Sequence, residues 1–312
     1  MLCLKRSTIV AIVLAISIPA ARAVEIDFVY TDDPGAGFFD PTLGAQRQAT
    51  LEAAADVMRQ VILDDGTVTV EAAFANLGSG RLGEGGGFLQ TGLSVGYSGP
   101  ATQAGVDNPD NYTVTTVAVD RPLDKATGAV AYNGQTDGTL FFNTDPDSPW
   151  YVGIDPNGQG GGQADFFSTA LHELCHVFAF SETFDKTTGE VGNTPTLSNP
   201  TFDFGGGNVL TGNLSFTGDT VYFRFDNTLT DAGGTLLRDL ATDAARASVF
   251  ATPDAVHYGV GQAVAENGGL VPFENDGVHL RESTYGNALM TPTLFAGDTS
   301  RIVGDLERAM LA

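Results

Sequence analysis

The sequence is poor in cysteine, histidine and positive charge, and each shortage argues against a class of protein. Two cysteines, Cys3 and Cys175, cannot build a disulfide framework. Fifteen Lys and Arg against 38 Asp and Glu give a formal net charge of −23, so no basic surface is expected to meet a nucleic-acid backbone. Beyond the N-terminus no apolar run approaches the roughly 20 residues that a membrane-spanning helix needs. The 39 glycines and 14 prolines follow no period and form no Pro/Ser linker, which predicts a single domain.

The N-terminus sets the expected compartment. Lys5 and Arg6 precede an apolar stretch from Ser7 to Ala20, and Ala21-Arg22-Ala23 follows as a small-x-small cleavage signal. Residues 1–23 therefore read as a secretory signal peptide, with a secreted or periplasmic protein and no stable membrane insertion after cleavage. Its removal takes Cys3 away, leaves Cys175 as the sole cysteine, and moves the charge from −23 to about −26. Positions 24–312 are enough to bury a core without staples.

Alternation of β-branched and apolar residues predicts strands at 25–30, 67–76, 112–119 and 138–143, and helical spacing predicts helices over 45–63 and 165–180. The segment 78–87 reads as a glycine-rich loop, and further helical stretches are expected near 235–248 and 300–311. Helices and strands come in blocks rather than strict alternation, which predicts an α+β fold. It divides into an N-terminal subdomain, 24–180, and a loop-rich C-terminal one, 181–312.

The informative stretch is Ala164-Asp165-Phe166-Phe167-Ser168-Thr169-Ala170-Leu171-His172-Glu173-Leu174-Cys175-His176-Val177-Phe178. On a helix His172 and His176 stand about 40° apart and one turn removed, so both imidazoles reach one metal ion from the same face. Glu173 stands about 100° round from His172, beside a metal rather than on it, where a carboxylate is placed to take a proton from water. Phe167, Leu171, Leu174 and Phe178 recur at helical spacing as a core face, and Asp165 or Ser168 is positioned to cap the start. With only four histidines, at 172, 176, 257 and 279, chance placement of two around a glutamate at this spacing is on the order of one per cent. The donor set predicts zinc.

A catalytic zinc needs a third protein ligand and one open position. Glu182, Glu190, His257 and His279 are the candidates; Cys175 reads better as a packed thiol. A fourth protein ligand, such as Cys175 or His257, would instead make the zinc structural, in a secreted β-rich binding or surface-layer module without peptidase activity. The Asp/Asn-rich loops 107–111 and 143–147 have the oxygen donors for calcium, although the same residues make ordinary turns.

The His-Glu-Leu-Cys-His helix, a distant His279 and the run Ala288-Leu289-Met290-Thr291-Pro292 together resemble the metzincin zinc peptidases. The likeness is greatest to the leishmanolysin-type branch and its bacterial relatives, in which a long insertion separates the helix from the third histidine. The resemblance implies a twisted mixed sheet, an active-site helix and a C-terminal Met-turn. It implies His279 as the third ligand, Met290 as the apolar floor below the metal, and Glu173 as general base of a secreted endopeptidase acting on protein or peptide substrates. It also implies that Gly138-Thr139-Leu140-Phe141-Phe142-Asn143 is the edge strand along which a substrate lies. The chain departs from the family at Ala179, where metzincins usually carry a glycine to turn the backbone; a left-handed alanine there costs about 1 kcal/mol.

Overall fold

The computed structural model describes residues 24–62, 66–87, 89–90, 113–116, 136–182, 184–190, 201–203, 209–211, 222–223 and 225–311. The signal peptide expected at 1–23 and the 107–111 loop lie outside them.

The chain enters on β1 (Glu25–Tyr30), crosses through α1 (Gly44–Val61) and returns on β2 (Thr67–Ala75), parallel to β1 in the register Ile26 opposite Val68. These elements form where alternation and helical spacing predict them. Helix α1 buries Leu51, Ala54, Ala55 and Met58, a single stripe at i, i+3, i+4 and i+7. Next come β3 (Gly83–Gly87), the short β4 (Leu89–Gln90), β5 (Thr113–Thr116) and β6 (Gly138–Asn143). The main sheet runs β1-β2-β6-β3, with β6 parallel to β2 and antiparallel to β3.

Two expectations change here. Most of the glycine-rich stretch is a strand rather than a loop. And 138–143 is not an edge: β6 is paired on both sides, so β3 is the border of this sheet among the described residues. Glycine is depleted in strands because it leaves nothing to pack, so its presence in β3 marks a place where another element comes close.

That element is α2 (Phe166–Phe178), which packs on β3, β6 and α1. Every one of its residues except His172 is buried. An aromatic cluster of Phe38, Phe74, Phe142 and Phe166, with Trp150 at its side, fills the space between sheet and helix. Phe142 and Phe166 meet at 4.7 Å between ring centres. Each buried aromatic contributes about 1.5–3 kcal/mol by leaving water, and each such pairing about 0.5–1.5 kcal/mol more.

The start of α2 is fastened from across the chain. Asp165, fully buried on the short strand β8 (Ala164–Asp165) beside β7 (Trp150–Tyr151), accepts from the Ser168 backbone and hydroxyl. It also forms a forked ion pair with Arg301 at 2.5 Å and 2.8 Å. The Ser300 N–H donates to Ser168 Oγ at 2.7 Å.

The rest of the described chain is short elements, in keeping with a loop-rich second half. Helix α3 (Asp243–Ala251), capped by Thr242, and a 3-10 turn at Leu237–Asp239 replace the single helix expected over 235–248. Helices α4 (Gly261–Asn267), α5 (Glu282–Tyr285) and α6 (Asp305–Leu311) follow, the last shorter than the predicted 300–311. With mixed sheet and helices in one chain, the fold is α+β. No helix among the described residues is long and apolar enough to cross a membrane.

Candidate metal centre

The two histidines of α2 and His279, 103 positions beyond His176, meet at one point. Their Nε2 atoms form a near-equilateral triangle: 3.1 Å between His172 and His176, 3.2 Å between His172 and His279, and 3.3 Å between His176 and His279.

Each ring is turned the same way by its other nitrogen. His172 Nδ1 donates to the Leu289 carbonyl at 2.7 Å, His176 Nδ1 to the Phe180 carbonyl at 2.8 Å, and His279 Nδ1 to the Asp276 carboxylate at 2.6 Å. A proton held at Nδ1 leaves the Nε2 lone pair free, and three lone pairs then face one spot. Burial, then the neighbouring imidazoles, keeps the two helix rings neutral: His172 is drawn down to about 4 and His176 well below its ordinary value.

Three imidazole nitrogens can hold a metal ion, and their spacing fits one the size of zinc. Zn–N bonds of about 2.0–2.1 Å in tetrahedral geometry put neighbouring nitrogens about 3.3–3.4 Å apart. Among the described residues this is the only cluster of three or more His, Cys, Asp or Glu able to hold an ion.

Glu173 is turned to the edge strand. Its carboxyl is pushed up to about 8 by burial and by the charge of Glu84, against the Gly85 N–H, which hydrogen-bonds it and pulls the other way. The approach is close: a Cβ added at Gly83 would stand 2.7 Å from Glu173 Oε1, and one at Gly85 would strike the Glu173 carbonyl at shorter range still. The glycines of β3 let the helix lie directly against the sheet border.

The end of α2 answers the question posed by Ala179. That residue takes φ −150° and ψ −132°, with no left-handed turn, and the positive φ falls one position later, at Phe180 with φ 30°. A bulky residue with positive φ is strained, and such strain persists only where the surroundings impose it. Here Phe180 is fully buried, and its carbonyl receives the His176 ring.

The other candidates stand elsewhere. Glu182 accepts from the Phe184 N–H and pairs with Lys186 at 3.0 Å. Glu190 donates its N–H to the Thr188 hydroxyl, and His257 lies on a short strand with Nδ1 at 3.1 Å from the Ala255 carbonyl. Cys175 is buried against Met58, its Sγ 3.9 Å from the Met58 sulfur. Met290 is fully buried, and its carbonyl accepts from the N–H of Leu280, next to His279. In the 143–147 loop, Asn143 and Asp147 use their side chains on backbone groups of 77–81.

No protein-family model, curated protein or solved structure matches the chain.

Two groups were missed in the sequence. Asp276, which holds His279, is visible as an Asp-Gly turn three residues ahead of a histidine, a signal too common to single out. Asp165–Arg301 joins positions 136 apart and leaves no local trace.

Proposed function

We propose that the chain is a secreted zinc-dependent endopeptidase of metzincin-like design, with His172, His176 and His279 as metal ligands and Glu173 as general base. The observation carrying this reading is the convergence of three ring nitrogens, two of them from the helix that also carries Glu173, a buried glutamate lying against a sheet border. A purely structural zinc needs a fourth protein ligand, and among the described residues none joins the three.

When bound, zinc supplies Lewis acidity, bringing the pKa of a water down toward about 7 and polarising a carbonyl. The chain's own residues do the rest. Glu173 takes a proton from water and returns it to the leaving amine. Among the described residues β3 pairs with no further strand, so its border offers backbone groups to an extended peptide, which would add to the sheet as one more strand. That role passes to β3 from the inner strand β6.

The test is hydrolysis of casein by the wild type and Glu173→Gln, with zinc content measured alongside. The expected outcome is activity lowered by about 10²–10⁴-fold with zinc retained. Equal hydrolysis by both proteins would sink the mechanism, and a wild type free of bound zinc would sink the metal centre.

A further inference from the structure

His279 is the ligand the fold supports least. It lies on an irregular loop, and its side chain remains 19% exposed. One carboxylate compensates. Asp276 Oδ1 accepts the backbone N–H groups of Val278 and His279 at 3.0 Å and 3.1 Å, closing a turn in which Gly277 supplies the positive φ of 76°. Its other oxygen, Oδ2, accepts the His279 ring N–H at 2.6 Å. Backbone and ring of the third ligand are thus held by the same side chain.

We propose that Asp276 is a positioning residue for the metal centre, fixing the tautomer and direction of His279 so that Nε2 faces the other two nitrogens. A hydrogen-bonded carboxylate behind a ligating imidazole orients it and raises its basicity, and losing such a partner typically costs about 10–100-fold in metal affinity. The two helix histidines have backbone carbonyls in this place, so the carboxylate is peculiar to the loop ligand. The inference rests on reading the three imidazoles as zinc ligands.

The experiment is zinc affinity, by competition with a chelator, for the wild type, Asp276→Asn, Asp276→Ala, His279→Ala and the double variant Asp276→Ala/His279→Ala, with melting of each metal-free protein. Asparagine keeps an oxygen for the two turn N–H groups, so Asp276→Asn is expected to melt like the wild type. It is still expected to bind zinc more weakly, and Asp276→Ala about 10–100-fold more weakly. The double variant is expected to bind no more weakly than His279→Ala, because Asp276 acts only through that ring. Wild-type affinity in both single variants would overturn the proposal, as would a full additional loss in the double. A metal-free Asp276→Asn that no longer folds would also overturn it, since the carboxylate would then serve the fold. A wild type that binds no zinc fails the underlying ligand reading instead, and the two failures are told apart in that first measurement.

Discussion

Two of the three imidazoles stand on a buried helix and the third on a turn, yet their nitrogens meet within 3.1–3.3 Å of one another. On α2 the position of His172 and His176 follows from helical geometry, and packing on all sides prevents the helix from shifting. The 274–281 segment is no part of a helix, and contacts of Asp276, backbone bonds of Glu274, Leu280 and Arg281 to His279, Met290 and Pro272, and the buried Leu280 hold it. A rigid mount tolerates loss of a single polar contact; a turn held by a handful does not. The helix should therefore be expensive to disturb as a body and the loop easy to disturb at one atom.

The largest effect tests the helix mount. Arg301→Ala leaves the Asp165 carboxylate fully buried without its cation, a change that costs roughly 3–5 kcal/mol. The metal-free protein should melt far below the wild type. A loss under about 1 kcal/mol would mean that water replaces the guanidinium, and that α2 owes its position to apolar packing alone.

How much of this was legible depends on distance along the chain. The helix pair could be read because a four-residue spacing is a local fact, and β1, α1, β2 and β6 because their periodicity is local too. The boundaries of β1 and β6 fall where alternation places them. The third nitrogen was not legible from spacing alone: Glu182, Glu190, His257 and His279 were all eligible until the fold brought one of them to α2. The reading of 83–87 failed for a tertiary reason, since glycine there answers the close approach of Glu173 and not a turn. The exit from the helix was anticipated at Ala179, but the positive φ is taken by Phe180, whose carbonyl is needed at His176. Only the folded contact reveals that need.

An intermediate effect separates the proposed base from the proposed metal site. Gly85→Ala drives a methyl group into the Glu173 backbone, so strand and helix must part, at about 1–3 kcal/mol. Glu173 is not a ligand, and the histidines are turned by other contacts. Casein hydrolysis should therefore fall at least tenfold, in line with misplacement of a catalytic group, while zinc affinity stays close to the wild type. If affinity falls in step with activity, β3 supports the whole helix face and not Glu173 in particular.

The smallest effect addresses the comparison most directly, and it needs no metal. His176→Ala removes a buried ring whose Nδ1 satisfies the Phe180 carbonyl, in a turn already strained by a positive φ. Leaving that carbonyl unpaired costs about 1–3 kcal/mol in the metal-free protein. His279→Ala removes a part-exposed ring, and the Asp276 oxygen it leaves is near enough to the surface to take water, so less than about 1 kcal/mol is expected. Both variants lose a proposed zinc ligand, so only the melting of the metal-free forms distinguishes helix from loop. Equal losses would place His279 among the supports of the fold, and the turn around it would then owe as much to the ring as the ring owes to Asp276.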